Sequence, residues 1–481
     1  MLALDLSSTP LGRAERFALD LLLDLARLLP YTGSDDVVQL RVVEGNARVD
    51  VPSLRDRTGM LVAGNGVVTM DRALLTIVTQ IAGAVAEQRS TVADRYGRVP
   101  AAENELASAD LERDAVVSRI ARELAAAVRR AAGRRPVCFV TPWPGGHRWA
   151  AALTHDLDVV SWWPAFTALR LAELARKGQA TRMLQVIGAA LVTGGRNVVW
   201  RGVREVLDIE AHYAARSTWF VLCGTPSLAT ARTGDLTYSP ESRGTRRILD
   251  AIRAGGHEIG LHGSFATSDA PALFGEQRAR LAALIGQQAR GVRQHYLRLR
   301  PATTYRAMAD AGFTFDSTAG FADRNGFRLG VADVLPMWSD AERSALPLDE
   351  VPFTWMDRAL SKYRGEEDPA AWVRDALALA DRAREVDGLW VGIWHPNLTT
   401  ALGFPGALHA YESLVAALVN RDPWLPTLSE AVAWRRARRA VRAVGIDASG
   451  GAVRLAPGGA HVPRVTLEDA DGRPVASHVD D

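Results

Sequence analysis

Hydrophobic and polar positions divide the chain into two parts with different patterns. In the first 135 residues, Phe17, Leu21 and Leu25 recur at helical spacing, and similar patterns cover 74–89 and 110–132. Short apolar runs at 37–43 and 47–51 predict two strands separated by a turn at 44–46. This part shows no repeat and no cluster of residues suited to catalysis. We therefore expect a small α/β accessory region that caps or supports the rest.

From residue 136 onward, strand-like runs alternate with helical stretches. The predicted strands are 137–140, 151–153, 217–222, 257–261, 291–296, 313–316, 350–353 and 389–394. The predicted helices between or after them are 245–254, 276–288, 302–311, 370–384 and 405–420. Such alternation is typical of βα units, and about seven units with polar residues at the strand ends favour a barrel. The predicted fold is α/β: an accessory region at 1–135, a barrel at 136–440 and a tail at 441–481, with residues 159–213 inserted over the barrel mouth.

The stretch 151–158 carries the strongest chemical signal. An apolar strand ends there in His155, Asp156 and Asp158. Residues two apart on a strand point the same way, so the two carboxylates repel each other unless a cation lies beside them. A divalent metal would fill this role. The alternative is an ordinary polar turn in which an aspartate caps the next helix.

Further polar residues end three later strands. They are His262, Arg293, His295 and His395. One carboxylate and two imidazoles form a set suited to Zn²⁺ or another first-row metal, with positions left open for water and substrate. A second carboxylate could then act as a base, and a histidine across the site as an acid.

These residues fall in an ordered series of motifs. The series is LTHDLD at 153–158, STWFV at 217–221, GHEIGLH at 256–262, RQHY at 293–296 and WH at 394–395. It resembles the polysaccharide deacetylase (NodB homology) family of carbohydrate esterases, in particular the subgroup with a long N-terminal region. The resemblance implies a distorted (β/α)7 barrel preceded by a smaller α/β accessory domain.

The resemblance also assigns roles to individual residues. It implies that Asp156 is the catalytic base, Asp158 and His262 are metal ligands, Arg293 orients the base and His395 is the general acid. The implied reaction is metal-dependent hydrolysis of an acetyl group, with N-acetyl favoured, on a glycan or glycan precursor. Water activated by the metal, for which zinc is expected, would be the nucleophile.

One position departs from the family pattern. The family supplies a second histidine four residues after the first, where this chain has Ala266. We expect His295 to replace it, because His295 ends a strand beside Arg293, whereas His257 lies at the start of its strand. If no residue serves as the third ligand, the chain would be a glycan-binding or scaffold protein. A hydrolase of a non-sugar amide is the other alternative.

Several residues have weaker interpretations. Trp338, Trp355 and Arg328 are candidates for contacting substrate, and Asp357 and Asp316 for supporting the site from behind. Asp357 would accept the second ring proton of His395. Packing and structural ion pairs are at least as good an explanation for each of these residues.

Composition limits the partners and the compartment. The 481 residues carry a net charge of +2, so no overall field favours nucleic acid. We expect the two cysteines, Cys138 and Cys223, to be small buried hydrophobes rather than a disulfide. The first residues lack the features of a signal peptide, and no apolar run is long enough to span a bilayer. A cytoplasmic protein is expected, and the sequence leaves its oligomeric state open.

Overall fold

We obtained a computed structural model of the chain. It describes residues 3–6, 10–29, 37–45, 49–56, 59–135, 137–160, 165–193, 198–227, 238–441, 443–446, 453–455, 465–468 and 471–475. The predicted strand at 47–51 lies partly outside these residues, and its described part is not a strand.

The N-terminal region packs helices on a small mixed sheet. The sheet has the order β1-β2-β4-β3, with β3 antiparallel to β4 and the other pairs parallel. Its strands are β1 (Ala3–Leu6), β2 (Val37–Val43), β3 (Leu61–Gly64) and β4 (Val67–Asp71). Its helices are α1 (Arg13–Leu25), α2 (Arg72–Ala82), α3 (Val85–Arg89), α4 (Glu105–Ser108) and α5 (Val116–Ala132). The predicted helical patterns of this region are therefore present.

A nine-stranded sheet forms the centre of the molecule. Its strands are β6 (Ala150–Leu157), β7 (Ser217–Leu222), β8 (Glu258–Gly263), β9 (Gly291–Gln294), β10 (Phe315–Asp316), β11 (Leu335–Ser339), β12 (Ser344–Glu350), β13 (Trp355–Met356) and β14 (Leu389–Ile393). The order is β11-β12-β10-β9-β8-β7-β6-β14-β13, and every neighbouring pair except β11 with β12 is parallel. The parallel strands follow one another in chain order around the sheet. The fold is thus a distorted (β/α) barrel, as predicted, with its seam between β12 and β13.

Helices surround the barrel and cover its mouth. Those of the 159–213 segment are α6 (Ala165–Arg176), α7 (Ala180–Thr193) and α8 (Val198–His212). The later helices are α9 (Arg243–Ala254), α10 (Ala272–Ile285), α11 (Thr304–Asp310), α12 (Pro369–Glu385), α13 (Ala407–Val419) and α14 (Leu428–Ala440). A short π-helix, Ala359–Arg364, follows β13. The last long helix begins with a capping box between Thr427 and Glu430, which satisfies backbone donors that helix starts leave unpaired.

The strand Val137–Val140 does not belong to the barrel, although the sequence pattern made it the first barrel strand. This strand, β5, instead pairs antiparallel with β17 (Val465–Glu468) of the tail, which also pairs with β18 (Pro474–Val475). Two further tail strands, β15 (Ala443–Ile446) and β16 (Val453–Leu455), pair with each other. The pattern could not show this, because an all-apolar run looks the same whether its partner is near or far in sequence.

One hydrophobic core runs through the N-terminal region and the barrel. Leu22, Val68 and Leu124 of the N-terminal region belong to the same buried cluster as Trp219 and Trp390 of the barrel. Both cysteines are buried and unpaired, as expected. Among the described helices, none combines the length and hydrophobicity needed to cross a bilayer.

Candidate metal centre and active site

The carboxyl ends of three barrel strands bring Asp158, His262 and His295 together. Asp158 Oδ1 lies 3.2 Å from His262 Nε2 and 3.5 Å from His295 Nε2. The three possible ligand atoms all lie within 4.8 Å of one another. A tetrahedral site with bonds of about 2.0–2.1 Å separates its ligands by roughly 3.3 Å. The arrangement therefore fits one first-row metal ion.

The hydrogen bonding of these residues also fits a metal. Asp158 Oδ1 is buried and accepts no hydrogen bond of good geometry from any described residue. His262 Nδ1 lies 2.8 Å from the carbonyl oxygen of Arg293 and donates to it, so Nε2 is the ring nitrogen that faces Asp158 and could bind a metal. Burial alone would raise the pKa of Asp158, but the surrounding imidazoles lower it well below its ordinary value. The site thus holds an ionised carboxylate oxygen beside ring nitrogens that could coordinate a cation.

The backbone after His295 is strained. The two residues that follow it, Tyr296 and Leu297, have positive φ angles of 59° and 54°. Residues with a Cβ adopt this left-handed conformation at a cost of about 1–2 kcal/mol each. The sharp turn ends β9 and leaves His295 facing Asp158. It also places the Tyr296 ring in a stack with Tyr96, with ring centroids 5.1 Å apart.

Asp156 forms a buried ion pair with Arg293. Arg293 Nη1 lies 2.8 Å from Asp156 Oδ1, and the guanidinium also donates to Thr154 Oγ1 and to the backbone and side-chain oxygens of Ser317. The guanidinium lies over the ring of Phe220 at 4.3 Å. Burial by itself raises the pKa of Asp156, but the charge of Arg293 lowers it below its ordinary value. Asp156 is therefore held ionised and fixed in orientation.

His395 is oriented from behind by Asp357. Asp357 Oδ1 lies 2.6 Å from His395 Nδ1, and its other oxygen accepts the His395 backbone N–H at 2.6 Å. His395 Nε2 then faces the cavity, 3.6 Å from Asp158 Oδ2. Burial alone would lower the pKa of His395, but the Asp357 carboxylate raises it to about 8. The ring is thus able to hold a proton on the atom that faces the site.

A second polar network lies behind the strand that carries Asp156. His155 contacts the carbonyl oxygen of Trp394 through Nδ1 and Glu210 Oε1 through Nε2, both at 2.8 Å. Tyr411 donates to the same Glu210 oxygen, and Ser217 to the other. Burial raises the pKa of Glu210, but the adjacent His155 outweighs it and lowers the pKa. This network ties the 159–213 segment to the backbone immediately before His395.

A cavity of about 600 Å³ lies over these groups. Asp156, Asp158, His262, His295 and His395 all line it. Its volume is in the range of small-ligand sites. Five of the residues predicted to be catalytic or metal-binding thus line one cavity, and Arg293 and Asp357 lie behind them.

Comparisons with known proteins give structural likenesses only. No protein-family model matches the sequence, and no curated protein matches it. The structure is similar to proteins described as polysaccharide deacetylases from Mycobacterium smegmatis (22% identity, 64% of this chain and 95% of that one, TM-score 0.42) and Pseudomonas aeruginosa PAO1 (17%, 62% and 94%, 0.41). It is also similar to the Puue allantoinase (16%, 61% and 92%, 0.40). The chemistry of the site is therefore inferred from the residues that form it.

Besides Arg293 and Asp357, four predicted residues lie outside the cavity. Trp338 packs on Phe17 of the N-terminal region, with ring centroids 5.1 Å apart. Trp355 is buried against Trp390 and Trp394 in the barrel wall. Both tryptophans pack against other aromatic rings, and neither is among the described residues that line the cavity.

The other two have polar partners away from the metal residues. Arg328 forms an ion pair with Glu87 of the N-terminal region at 2.7 Å. Asp316 is buried against Thr318 on the strand beside Glu350. No hydrogen bond or ion pair joins Asp316 to a described cavity-lining residue, although its neighbour Ser317 holds Arg293.

Several cavity residues escaped the sequence analysis. They are Tyr96 and Arg98 of the N-terminal region, Arg170 and Glu173 of α6, and Arg358, Lys362, Tyr363, Asn397 and Phe404 of the barrel loops. The motif around 94–98 reads as a polar connector, and nothing in it indicates that it reaches the barrel mouth. Asn397 follows His395 by two residues, and this position alone could have identified it as a cavity residue.

Proposed function

We propose that the protein is a metal-dependent hydrolase that removes an acetyl group, with N-acetyl favoured, from a glycan or glycan precursor. One observation carries this proposal. A three-residue metal-binding set lies in the same cavity as a carboxylate held ionised and a histidine able to hold a proton. The acetyl group and the glycan come from the resemblance of the motifs to polysaccharide deacetylases.

Asp158, His262 and His295 would hold the cation, and zinc is the expected ion for one carboxylate and two imidazoles. Such an ion would polarise the acetyl carbonyl and lower the pKa of water in the site to about 7. His295 takes the place of the family histidine that is missing at Ala266. The protein thus supplies a full set of three ligands from three different strands.

The remaining groups move protons. Asp156 takes the proton of the water that attacks the acetyl carbonyl, and Arg293 keeps Asp156 ionised and aimed at the site. His395 gives a proton from Nε2 to the leaving amine, while Asp357 holds the proton on Nδ1. Acid and base thus lie on different strands and reach the same cavity.

Metal analysis combined with an acetate-release assay tests the proposal. We expect the purified wild-type protein to contain about one divalent ion per chain and to release acetate from a panel of acetylated sugars. The His295→Ala variant should lose both metal and activity. The Asp156→Asn variant should keep the metal but lose about 10²- to 10⁴-fold in rate, because it removes only a proton-transfer group.

A surface histidine provides the matched control. His409 is 85% exposed on its side chain, so His409→Ala should keep full metal content and rate. Wild-type protein that binds no metal after incubation with zinc would contradict the proposal and favour a glycan-binding protein. A protein that binds metal but acts only on non-sugar acetamides would contradict the glycan assignment.

A further inference from the structure

The wall of the cavity is built from three segments outside the barrel strands. Tyr96 and Arg98 come from the N-terminal region, and Arg170 and Glu173 from helix α6. The residues from Arg358 through the π-helix come from the loop after β13. Arg98 Nη1 joins two of these segments, since it donates to the Tyr296 carbonyl oxygen and to Tyr363 Oη. π-helices are rare and occur frequently at functional sites.

Positive charge dominates this wall. Seven arginine and lysine side chains line the cavity, against three carboxylates. Asp156 and Asp158 lie on the floor, where Arg293 and the metal-binding histidines surround them. Glu173 is the third carboxylate, and it is shared by Arg170 at 2.7 Å and Lys177 at 3.2 Å. Burial raises the pKa of Glu173, yet these cations lower it to about 2.

Four of the cations have no carboxylate partner among the described residues. Arg95, Arg176, Arg358 and Lys362 each lie farther than 4.0 Å from every described carboxylate oxygen. Desolvation of the amine and the like charge of Arg358 lower the pKa of Lys362 to about 8. Cations that crowd one another without partners raise the affinity of a cavity for anions.

Aromatic rings also contact the guanidinium groups of this wall. Arg358 lies over the ring of Phe404 at 5.5 Å, and Arg170 lies over the same ring at 4.2 Å. Arg98 lies over Tyr96 at 4.8 Å. A ring contacts the flat face of a guanidinium and leaves its N–H edges available. Arg98 and Arg170 also pair with Asp94 and Glu173, whereas Arg358 is held by a ring and keeps its charge unpaired among the described residues.

We propose that the substrate carries an anionic group, a phosphate or a carboxylate, in addition to its acetyl group, and that Arg358 and Lys362 bind this anion. Arginine binds both groups through paired hydrogen bonds, and lysine adds a point charge. The acetyl part of this statement rests on the proposed function. The anion site itself rests on the cations, the rings and the cavity. It also explains why parts of the N-terminal region and of α6 reach the mouth.

Binding of three sugars with the same ring tests the anion site. The probes are N-acetylglucosamine, N-acetylglucosamine 1-phosphate and N-acetylmuramic acid, titrated calorimetrically into full-length, metal-loaded protein. The Asp156→Asn change is present throughout to prevent turnover. We expect at least one anionic sugar to bind about 10-fold or more tightly than the neutral one. The tighter of the two anionic sugars identifies phosphate or carboxylate as the preferred group.

Charge-removing variants locate the preference. Arg358→Gln and Lys362→Gln should each reduce the ratio of neutral to anionic dissociation constants, and higher salt should reduce it as well. Arg253→Gln, at an exposed arginine outside the cavity, should leave the ratio unchanged. Equal affinity for all three sugars, or a preference that survives both cavity variants, would overturn the proposal. Acetate release from neutral sugars is measured separately, so loss of the anion preference is distinguishable from loss of the hydrolytic function.

Discussion

At the scale of single residues, Asp316 and Glu350 form a buried acid pair. They are register partners on parallel strands, and both are fully buried. Glu350 accepts the Ala319 backbone N–H at 3.1 Å, while its other oxygen has no partner among the described groups. Burial and the adjacent Asp316 raise the pKa of Glu350 well above its ordinary value, and burial also raises that of Asp316. The folded chain thus keeps a proton on this acid pair to a higher pH than the unfolded chain does.

This pair predicts that stability falls as the pH rises. A glutamate in the unfolded chain releases its proton above pH of about 4.3, whereas the folded chain holds it to a higher pH. The stabilisation is therefore complete at acidic pH and is lost as the pH rises toward the raised pKa, by up to about 1.4 kcal/mol per pH unit for one proton. Glu350→Gln should flatten this dependence, because its amide can donate to an ionised Asp316.

Thermal unfolding midpoints at several pH values check this expectation. The difference between Glu350→Gln and wild type should shift in favour of the variant as the pH rises from 5 to 9. Glu342→Gln is the control, because Glu342 is a partly exposed partner of Arg306 at the surface. If the variant and the wild type kept the same pH dependence, the raised pKa of Glu350 would be refuted.

Residue types at strand ends were the predictable part of the site. His262, His295 and His395 were expected there because polar residues that end apolar strands in a barrel collect at one rim. The rim placement of His295 was predictable, but the left-handed turn that aims it was not, since Tyr296 and Leu297 are unusual residues for that conformation. The packing positions of Trp338 and Trp355 away from the cavity could not be predicted, because a large aromatic residue looks the same in sequence whether it packs or binds.

At the scale of elements, helix α8 packs closely against the loop that carries His395. A Cβ atom at Gly202 would lie 2.4 Å from the carbonyl oxygen of Pro396 and 2.7 Å from Thr399 Cγ2. Only glycine lets the helix approach so closely. The 159–213 segment thus supports the acid side of the site through backbone contact as well as through the Glu210 network.

Gly202→Ala should therefore displace the loop and lower activity without removing the metal. A shift of about 1 Å in a catalytic group can reduce the rate by about 10²-fold. We expect kcat/KM for acetate release to fall at least 10-fold, with the metal content unchanged, because no metal-binding residue lies on this loop. Steady-state kinetics and metal analysis of the same preparation check both parts.

Gly188→Ala is the matched control in the same segment. No described atom outside the local backbone lies within 4 Å of a Cβ built at Gly188. Alanine is favoured over glycine in a helix by about 1 kcal/mol, so this variant should be at least as stable as wild type and equally active. If both variants behaved alike, close packing at Gly202 would not position His395.

The elements themselves were predicted unevenly, for a physical reason. An alternation of strands and helices of ordinary length indicates βα units, whichever strands pair with each other. The sequence therefore predicted a barrel from residue 136 onward. Pairing between distant strands leaves no local trace, and β5 was therefore assigned to the wrong sheet. The short π-helix after β13 has no recognisable period, although its residues line the cavity.

At the scale of the whole molecule, the N-terminal region and the barrel are joined by a buried ion pair. Glu87 is 4% exposed and lies 2.7 Å from Arg328 Nη2, and Asn104 donates to its other oxygen. Arg328 also donates to the carbonyl oxygens of Val99 and Gly320, one from each part. Together with the continuous core, this contact predicts that both parts unfold as one unit.

Glu87→Gln should destabilise the barrel, although Glu87 lies outside it. The change leaves the charge of Arg328 buried without a full partner, which typically costs about 3–5 kcal/mol. All thirteen tryptophans follow residue 142, so tryptophan fluorescence reports on the barrel, its extensions and, through Trp338 beside Phe17, the contact with the N-terminal region. We expect the fluorescence and far-ultraviolet circular dichroism midpoints to fall together in urea.

Glu44→Gln, which breaks an exposed ion pair with Arg72, should change either midpoint little. A circular dichroism transition that moved while the fluorescence transition stayed in place would mean that the N-terminal region unfolds independently of the barrel.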